Sequence, residues 1–181
     1  MTPAGASASV PGRVESADDG RPGHRAVIAL GANLGDRRTT LEHAAHRIGR
    51  EIGEVLARSR WHETAALVLP ADRGGRHPPF LNGVVLVRTT LEPHQLLDRL
   101  QAIERRLGRD RAAEQRRWQP RIVDLDLIAL EERVVDAPRL AVPHPAMHER
   151  DFVLAPMLEV WPDWRHPLLG KTAGELLAAL R

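Results

Sequence analysis

The stretch IVDLDLIAL at 122–130 decides the fold, because its charged and apolar residues alternate with the two-residue period of a β-strand. Asp124 and Asp126 lie two residues apart and therefore leave the same face of the predicted strand. Ile122 and Ile128 share that face. We expect the intervening residues to point towards packed helices: Val123, Leu125, Leu127 and Ala129.

The segments around this strand predict an α+β protein. Strands are expected at 26–32, 54–64, 80–91 and 122–130. A helix follows the first strand, and a second helix begins at Pro93 and ends near Gly108. The order βαββαβ is that of a ferredoxin-like fold, an antiparallel sheet with helices packed on one face. Helical pieces near 146–160 and 172–181 predict a C-terminal extension.

Composition indicates one globular domain. The chain has 181 residues, of which 43% are hydrophobic and 28% are charged. Residues 1–24 are small, polar and rich in Gly and Pro, so we expect a disordered tail followed by one domain over 25–181. The sequence has no cysteine, which excludes thiol catalysis. No apolar run approaches the roughly 20 residues of a membrane span, and we expect a cytoplasmic chain without a membrane partner.

The two aspartates predict a metal site. Neighbouring carboxylates repel each other, and burial would raise their pKa values. A divalent cation removes both penalties, and Mg²⁺ prefers one or two carboxylates together with water and phosphate oxygens. The alternative is a solvated acidic pair on an open sheet face.

An arginine-rich segment leads into this strand. Seven arginines lie between 105 and 121, where only Asp110 and Glu114 oppose them. Guanidinium groups bind phosphate oxygens in a bidentate manner, so arginines beside a metal site indicate a polyphosphate ligand. The alternatives are a solvated helix face and an RNA-binding patch.

Aromatic and histidine residues add weaker signals. Aromatic residues make up 3% of the chain, and Trp118 lies inside the arginine-rich segment, where we expect it to contact a ligand. His144 and His148 are four residues apart, but Pro145 separates them and no third zinc ligand is evident. We therefore favour a phosphate contact for His144.

An RNA-binding module on the same fold is the main rival interpretation. Its arginine content fits, but such modules need exposed aromatic residues on their central strands. The net charge of +2 gives little long-range attraction to nucleic acid. We therefore expect no nucleic-acid partner.

Several stretches together carry a family resemblance. The chain resembles the 6-hydroxymethyl-7,8-dihydropterin pyrophosphokinase family over about 26–165, with Thr64 in the position of the family's threonine loop. The matching stretches are ALGANLGDR (29–37), FLN (80–82), QAIERRLGRDR (101–111), RWQPRIVDLDLI (117–128) and RLAVPHPAMHERDFVLAPM (139–157).

This resemblance implies a ferredoxin-like fold and a reaction of the folate pathway. The pyrophosphoryl group of ATP would pass to the hydroxymethyl group of the reduced pterin, giving AMP and the pterin diphosphate in tetrahydrofolate biosynthesis. ATP and the reduced hydroxymethylpterin would be the partners of a monomeric chain, with two Mg²⁺ ions as cofactors.

The resemblance also implies a role for each site residue. Asp124 and Asp126 would bind the two Mg²⁺ ions and would form the catalytic set with Arg109 and Arg121. The implied ATP-binding residues are Gln101, Arg111, Arg139, His144 and Arg150. The implied pterin-binding residues are Thr64, Leu67, Phe80, Asn82, Trp118 and Phe152, with the two phenylalanines enclosing the ring.

One departure from the family pattern supports a second rival. Members usually carry Trp-Gly-Pro-Arg, whereas Gln119 stands in the glycine position here. Glutamine tolerates fewer backbone conformations than glycine. A member that binds pterin or nucleotide without catalysis is therefore an alternative, although we expect activity.

Overall fold

The computed structural model describes residues 21–65, 78–110 and 120–181. Some sequence predictions lie outside this part of the chain and stay predictions: those for residues 1–20, Leu67, Arg111, Trp118 and Gln119.

The described residues form seven strands and four α-helices. The strands are β1 (His24–Ala32), β2 (Glu54–Arg58), β3 (His62–Thr64), β4 (Phe80–Thr89), β5 (Asp124–Leu130), β6 (Val135–Ala137) and β7 (Leu140–Val142). The helices are α1 (Arg37–Glu51), α2 (Pro93–Arg106), α3 (Asp151–Val160) and α4 (Ala173–Ala178), and a 3₁₀ turn covers Met147–Glu149. The structure thus confirms the two predicted C-terminal helical pieces.

One antiparallel sheet organises the described part of the chain. Strands β2, β4, β1 and β5 are neighbours in that order, and β3 also pairs with β4. Strands β6 and β7 form a separate two-stranded sheet. The structure therefore confirms an α+β fold with an antiparallel sheet.

None of the helices in residues 21–65, 78–110 and 120–181 has the length and apolar character needed to cross a membrane.

Local signals in the sequence set the two longer helices. Asp36 caps α1, since its Oδ1 accepts the Thr39 N–H at 3.0 Å. Pro93 is the first residue of α2, and Gly108 follows the helix with a φ of 94°. Both boundaries of α2 were predicted from Pro93 and Gly108.

The prediction of a single strand over 54–64 is wrong, because β2 and β3 are separated at Ser59. The Ser59 N–H donates to the Val84 carbonyl at 3.0 Å, and the Ser59 hydroxyl accepts the Val84 N–H at 2.9 Å. A side-chain oxygen thus replaces a backbone carbonyl in the ladder, and the chain leaves the sheet before β3. Trp61 then packs directly on Gly83.

The sheet is covered on both faces, so the prediction of helices on one face is incomplete, and the alternative of a solvated acidic pair on an open face does not hold. Helices α1 and α2 pack on one face through Leu41, Ile48, Leu96 and Ile103. The C-terminal helices bury the other face in a second apolar cluster around Met157. The aspartates of β5 consequently lie beside a packed helix.

A bulge in β5 corrects one predicted orientation. The pairing with β1 shifts between Val27 and Ile28, so Ile128 is an extra residue in β5. Ile128 and Ala129 both join the cluster around the C-terminal helices, whereas Leu125 and Leu127 join the cluster of α1 and α2 as expected. The predicted orientation of Ala129 is therefore wrong.

We predict that Gly83→Ala destabilises the fold. A Cβ at Gly83 would lie 2.6 Å from Trp61 Cε3, and overpacking of this kind costs about 1–3 kcal/mol of unfolding free energy. Urea unfolding measures this loss. Gly174→Ala is the matched control, because its Cβ would make ordinary contact at 3.4 Å with Leu158 in a helix, where alanine is favoured. Equal stability of the two variants would contradict the packing of Trp61 on Gly83.

Candidate active site

One cavity gathers most of the residues that the sequence singled out. Strands β1, β4 and β5 form its floor, and α3 and the segment before it form one wall. Ten predicted site residues line it: Thr64, Phe80, Asn82, Arg109, Arg121, Asp124, Asp126, His144, Arg150 and Phe152. Ala29, Gly31 and Gly83 also line it, and their small size leaves room above the sheet.

The register of the sheet places the two halves of the cavity. Asn82 of β4, Gly31 of β1 and Asp124 of β5 are direct neighbours across three strands. Two interstrand spacings separate Asn82 from Asp124, which is about 10 Å. Glycine between them contributes no side chain. Asp126 lies opposite Ala29 in the neighbouring row.

Asp124 lies between two arginines. Arg121 Nη1 donates to Asp124 Oδ2 at 2.9 Å, and Arg109 Nη1 donates to Asp124 Oδ1. The Arg109 side chain is only 4% exposed. Charge-assisted hydrogen bonds of this kind fix both the carboxylate and the guanidinium groups.

A buried glutamate holds Arg109 from the other side. Glu104 is fully buried, and its Oε1 accepts from Arg109 Nη1 at 2.6 Å and from the Leu125 N–H at 2.9 Å. Arg109 Nη1 also reaches the Val123 carbonyl at 3.2 Å. Helix α2 and strand β5 are thereby joined at the base of the cavity.

Asp126 differs sharply from Asp124 in its electrostatic environment. Burial raises the pKa of Asp126 to about 7, and the negative charge of Asp124 adds to the increase, while Arg150 opposes it. Without a cation, burial and the neighbouring charge of Asp124 therefore disfavour the ionised form of this carboxylate. A bound cation would therefore stabilise the ionised form of Asp126.

His144 is neutral at physiological pH. Burial, with a smaller contribution from the Arg150 guanidinium, lowers the pKa of His144 to about 4. Its Nδ1 accepts the Ala146 N–H at 3.2 Å, which leaves Nε2 as the protonated nitrogen. The imidazole can therefore donate one hydrogen bond to a ligand oxygen.

Polar and aromatic side chains meet at the other end of the cavity. Asn82 Nδ2 donates to Thr64 Oγ1 at 2.7 Å, and Thr64 pairs with Phe80 in the sheet. A Cβ at Gly31 would lie 2.8 Å from Asn82 Oδ1, so only glycine leaves room for this amide. Phe152, at the start of α3, lines the same cavity as Phe80.

Two predicted ATP-binding residues do not line this cavity. Arg139 Nη2 donates to Asp98 Oδ1 at 3.1 Å on the outer side of α2, and its side chain is 65% exposed. Gln101 lies on α2 among residues that do not face the cavity. Their nucleotide contacts stay predictions.

Sequence reasoning missed two buried polar residues beside the cavity. Glu104 follows Leu96, Leu100 and Ile103 on the buried side of α2, and a carboxylate on an apolar helical stripe could have identified it. Asn33 is 3% exposed and contacts the backbone of Arg121. Its position in a Gly-rich turn suggested only a local role.

Comparisons with known proteins agree with this geometry. Residues 27–162 match the family described as 7,8-dihydro-6-hydroxymethylpterin-pyrophosphokinase (HPPK). The chain belongs to this family. The match confirms the resemblance stated from the sequence motifs.

Similar proteins include two bacterial pyrophosphokinases of this family. The 2-amino-4-hydroxy-6-hydroxymethyldihydropteridine pyrophosphokinase of Pseudomonas aeruginosa is 41% identical over 160 residues, which cover 86% of this chain and 91% of the relative. The Synechocystis sp. protein of the same name is 39% identical over 155 residues, covering 85% of this chain and 75% of the relative.

A solved HPPK structure has the same fold. The crystal structure of wild-type Plasmodium falciparum HPPK-DHPS aligns with 87% of this chain at a TM-score of 0.67 and 14% identity. The chain spans 45% of that crystallised chain. At this identity the likeness shows the fold alone.

We predict that Asp126→Asn stabilises the metal-free protein at alkaline pH. Because the folded-state pKa of Asp126 is raised from 3.8 to about 7, ionisation lowers the stability of the wild type as pH rises from about 4 to about 7. The neutral amide removes this loss.

Thermal unfolding in EDTA at pH 5 and pH 8 measures the difference. The melting temperature of Asp126→Asn should exceed that of the wild type more at pH 8 than at pH 5. Asp136→Asn, on an exposed position of β6, should show no comparable gain. A pH-independent difference at position 126 would contradict the assigned environment.

Proposed function

We propose that the chain transfers the pyrophosphoryl group of ATP to the hydroxymethyl oxygen of 6-hydroxymethyl-7,8-dihydropterin, giving AMP and the pterin diphosphate. One observation carries this proposal: the row Asn82–Gly31–Asp124 joins an amide and aromatic pocket to an arginine–carboxylate cluster about 10 Å away. A flat heterocycle at one end would present its side chain to a triphosphate at the other.

The donor set at β5 fits Mg²⁺. Asp124 and Asp126 supply two carboxylates on one strand face, and burial together with the charge of Asp124 raises the pKa of Asp126, so a bound cation would favour its ionised form. No group of three or more His, Cys, Asp or Glu side chains suited to a metal occurs in the described ranges. Mg²⁺ commonly completes its coordination with water and phosphate oxygens.

We assign two Mg²⁺ ions to these carboxylates, with ATP supplying the remaining ligands. When bound, the ions neutralise triphosphate charge and withdraw electron density from the phosphorus under attack. Asp124 then has two functions, since it also orients Arg109 and Arg121. Those arginines bind phosphate oxygens and stabilise the charge that develops during transfer.

Nucleotide and pterin contacts follow the two ends of the cavity. His144 donates to a phosphate or ribose oxygen, Arg150 adds positive charge, and Gln101, Arg111 and Arg139 complete the proposed ATP set.

Phe80 and Phe152 stack on the pterin, and Asn82 binds its amide edge. Thr64, Leu67 and Trp118 complete the pterin set. Stacking on an aromatic face contributes about 1–3 kcal/mol per base in nucleic-acid complexes.

Several broader assignments belong to the same proposal. The order β2-β4-β1-β5 supports a ferredoxin-like topology with β2 and β3 together as its second strand. We keep 25–181 as the catalytic domain and extend it to include His24, which pairs with Thr89 at the start of β1. We propose a disordered tail for residues 1–20 only. A monomeric, cytoplasmic enzyme without nucleic-acid partners also remains our expectation.

We predict that Asp124→Asn lowers AMP release at least about 100-fold. The amide loses a metal ligand and leaves Arg109 and Arg121 without their shared carboxylate, and losing a single preorganised electrostatic contact typically costs 10²–10³ in turnover. The assay contains ATP, Mg²⁺ and the reduced hydroxymethylpterin, and it quantifies AMP and ADP separately.

Asp136→Asn is the matched control and should keep wild-type turnover, because Asp136 is exposed on β6. Circular dichroism establishes that both variants are folded. Pterin-dependent ADP release by the wild type would contradict pyrophosphoryl transfer. Tight binding of both substrates without any AMP would favour the non-catalytic rival.

A further inference from the structure

Asn33 is a buried polar residue that the proposed chemistry does not use. It directly follows β1, and only 3% of its surface is exposed. Its side chain bonds two separate chain segments: Oδ1 accepts the Arg121 N–H at 2.7 Å, and Nδ2 donates to the Pro78 carbonyl at 3.3 Å. One amide therefore links segments that lie 43 positions apart along the sequence.

The first bond fixes the backbone of Arg121. Besides the side-chain contact, the Asn33 N–H donates to the Arg121 carbonyl at 3.2 Å, so Asn33 holds Arg121 on both backbone groups. Residue 121 precedes β5, which begins at Asp124, and the strand ladder does not position it. Asn33 thus holds the backbone from which the Arg121 side chain extends to contact Asp124 at 2.9 Å.

The second bond fixes the approach to Phe80. Pro78 and Pro79 have no backbone N–H, so their carbonyls are the only backbone groups that can hold them. Asn33 Nδ2 binds the first carbonyl, and Arg37 Nη1 binds the second at 2.7 Å. Phe80 begins β4 immediately afterwards. Asn33 therefore also constrains the aromatic end of the cavity.

We propose that Asn33 is a positioning residue that sets Arg121 and Phe80 relative to each other, and so aligns the phosphate with the pterin. This inference rests on the proposed function. The amide is required because the Arg121 N–H needs an acceptor and the Pro78 carbonyl needs a donor. A misplacement of about 1 Å far from the chemistry can cost about 10²-fold in rate.

The test compares Asn33→Ala with Leu34→Ala, a neighbouring and 37% exposed position of the same turn. Urea unfolding first establishes that both variants are folded. We expect Asn33→Ala to lower kcat about 10- to 100-fold and to raise the KM and the Kd for the reduced pterin, while the Kd for ATP changes less than about threefold. Leu34→Ala should match the wild type.

A double-mutant cycle with Arg121→Ala separates positioning from a general structural role. If Asn33 acts on kcat through Arg121, Asn33→Ala should lower kcat little further in the Arg121→Ala background, whereas its effect on pterin KM should persist through Pro78. The same fold-loss of kcat in both backgrounds would overturn the proposal. So would wild-type kinetics in Asn33→Ala.

Asn33→Asp provides a nearly isosteric variant should the alanine fail to fold. The carboxylate keeps the acceptor for Arg121 but cannot donate to Pro78, so kcat should stay close to the wild-type value while the pterin KM is raised above it. A kcat lowered about 10-fold or more, or a wild-type pterin KM, would overturn the proposal.

Failure of the proposed function gives a different result. If the wild type and Leu34→Ala release no AMP, the proposed reaction is wrong. The pterin Kd then tests the positioning role of Asn33. Weaker pterin binding in Asn33→Ala than in Leu34→Ala supports this role, and equal binding overturns it.

Discussion

Three carboxylates lie within one arginine cluster at the base of the cavity, and the rest of the site depends on how their charge is compensated. Glu104 and Asp124 share Arg109, and Arg121 binds Asp124 as well. Asp126 receives less compensation, and its pKa is raised to about 7 by burial and by Asp124. Buried ion pairs add little net stability, because desolvation offsets their attraction. We therefore propose that this cluster serves ligand binding rather than stability.

Helices and strands of the surrounding fold hold the carboxylates of this cluster in place. Helix α2 contributes Glu104, β5 contributes the aspartates, and α3 covers the same sheet face with Phe152 near its N-terminus. Separate apolar clusters on the two sheet faces hold these elements in place. The carboxylates and the two phenylalanines thus lie on helices and strands, which position side chains more accurately than loops do, whereas Arg109 and Arg121 lie outside them. Small residues of β1 leave the space that a ligand needs.

Local patterns in the sequence predicted much of this arrangement, and their failures have local causes too. Alternation placed Asp124 and Asp126 on one face, but it could not anticipate the bulge at Ile128 that reorients Ala129. The residues at 54–64 predicted one continuous strand, because the sequence gives no sign that the Ser59 hydroxyl accepts a hydrogen bond from Val84 of another strand. The family motifs identified ten residues that the fold brings together, whereas Arg139 lies on the outer side of α2. Tertiary contacts, such as the bonds of Asn33, carry no signal along the chain.

The most direct test of the central claim is a crystal structure with a non-hydrolysable ATP analogue, Mg²⁺ and the reduced pterin. The account predicts cations at about 2.1 Å from carboxylate oxygens of both Asp124 and Asp126, bridging to phosphate oxygens. The pterin should lie between Phe80 and Phe152. A well-ordered ternary complex in which no cation contacted either aspartate would contradict the account.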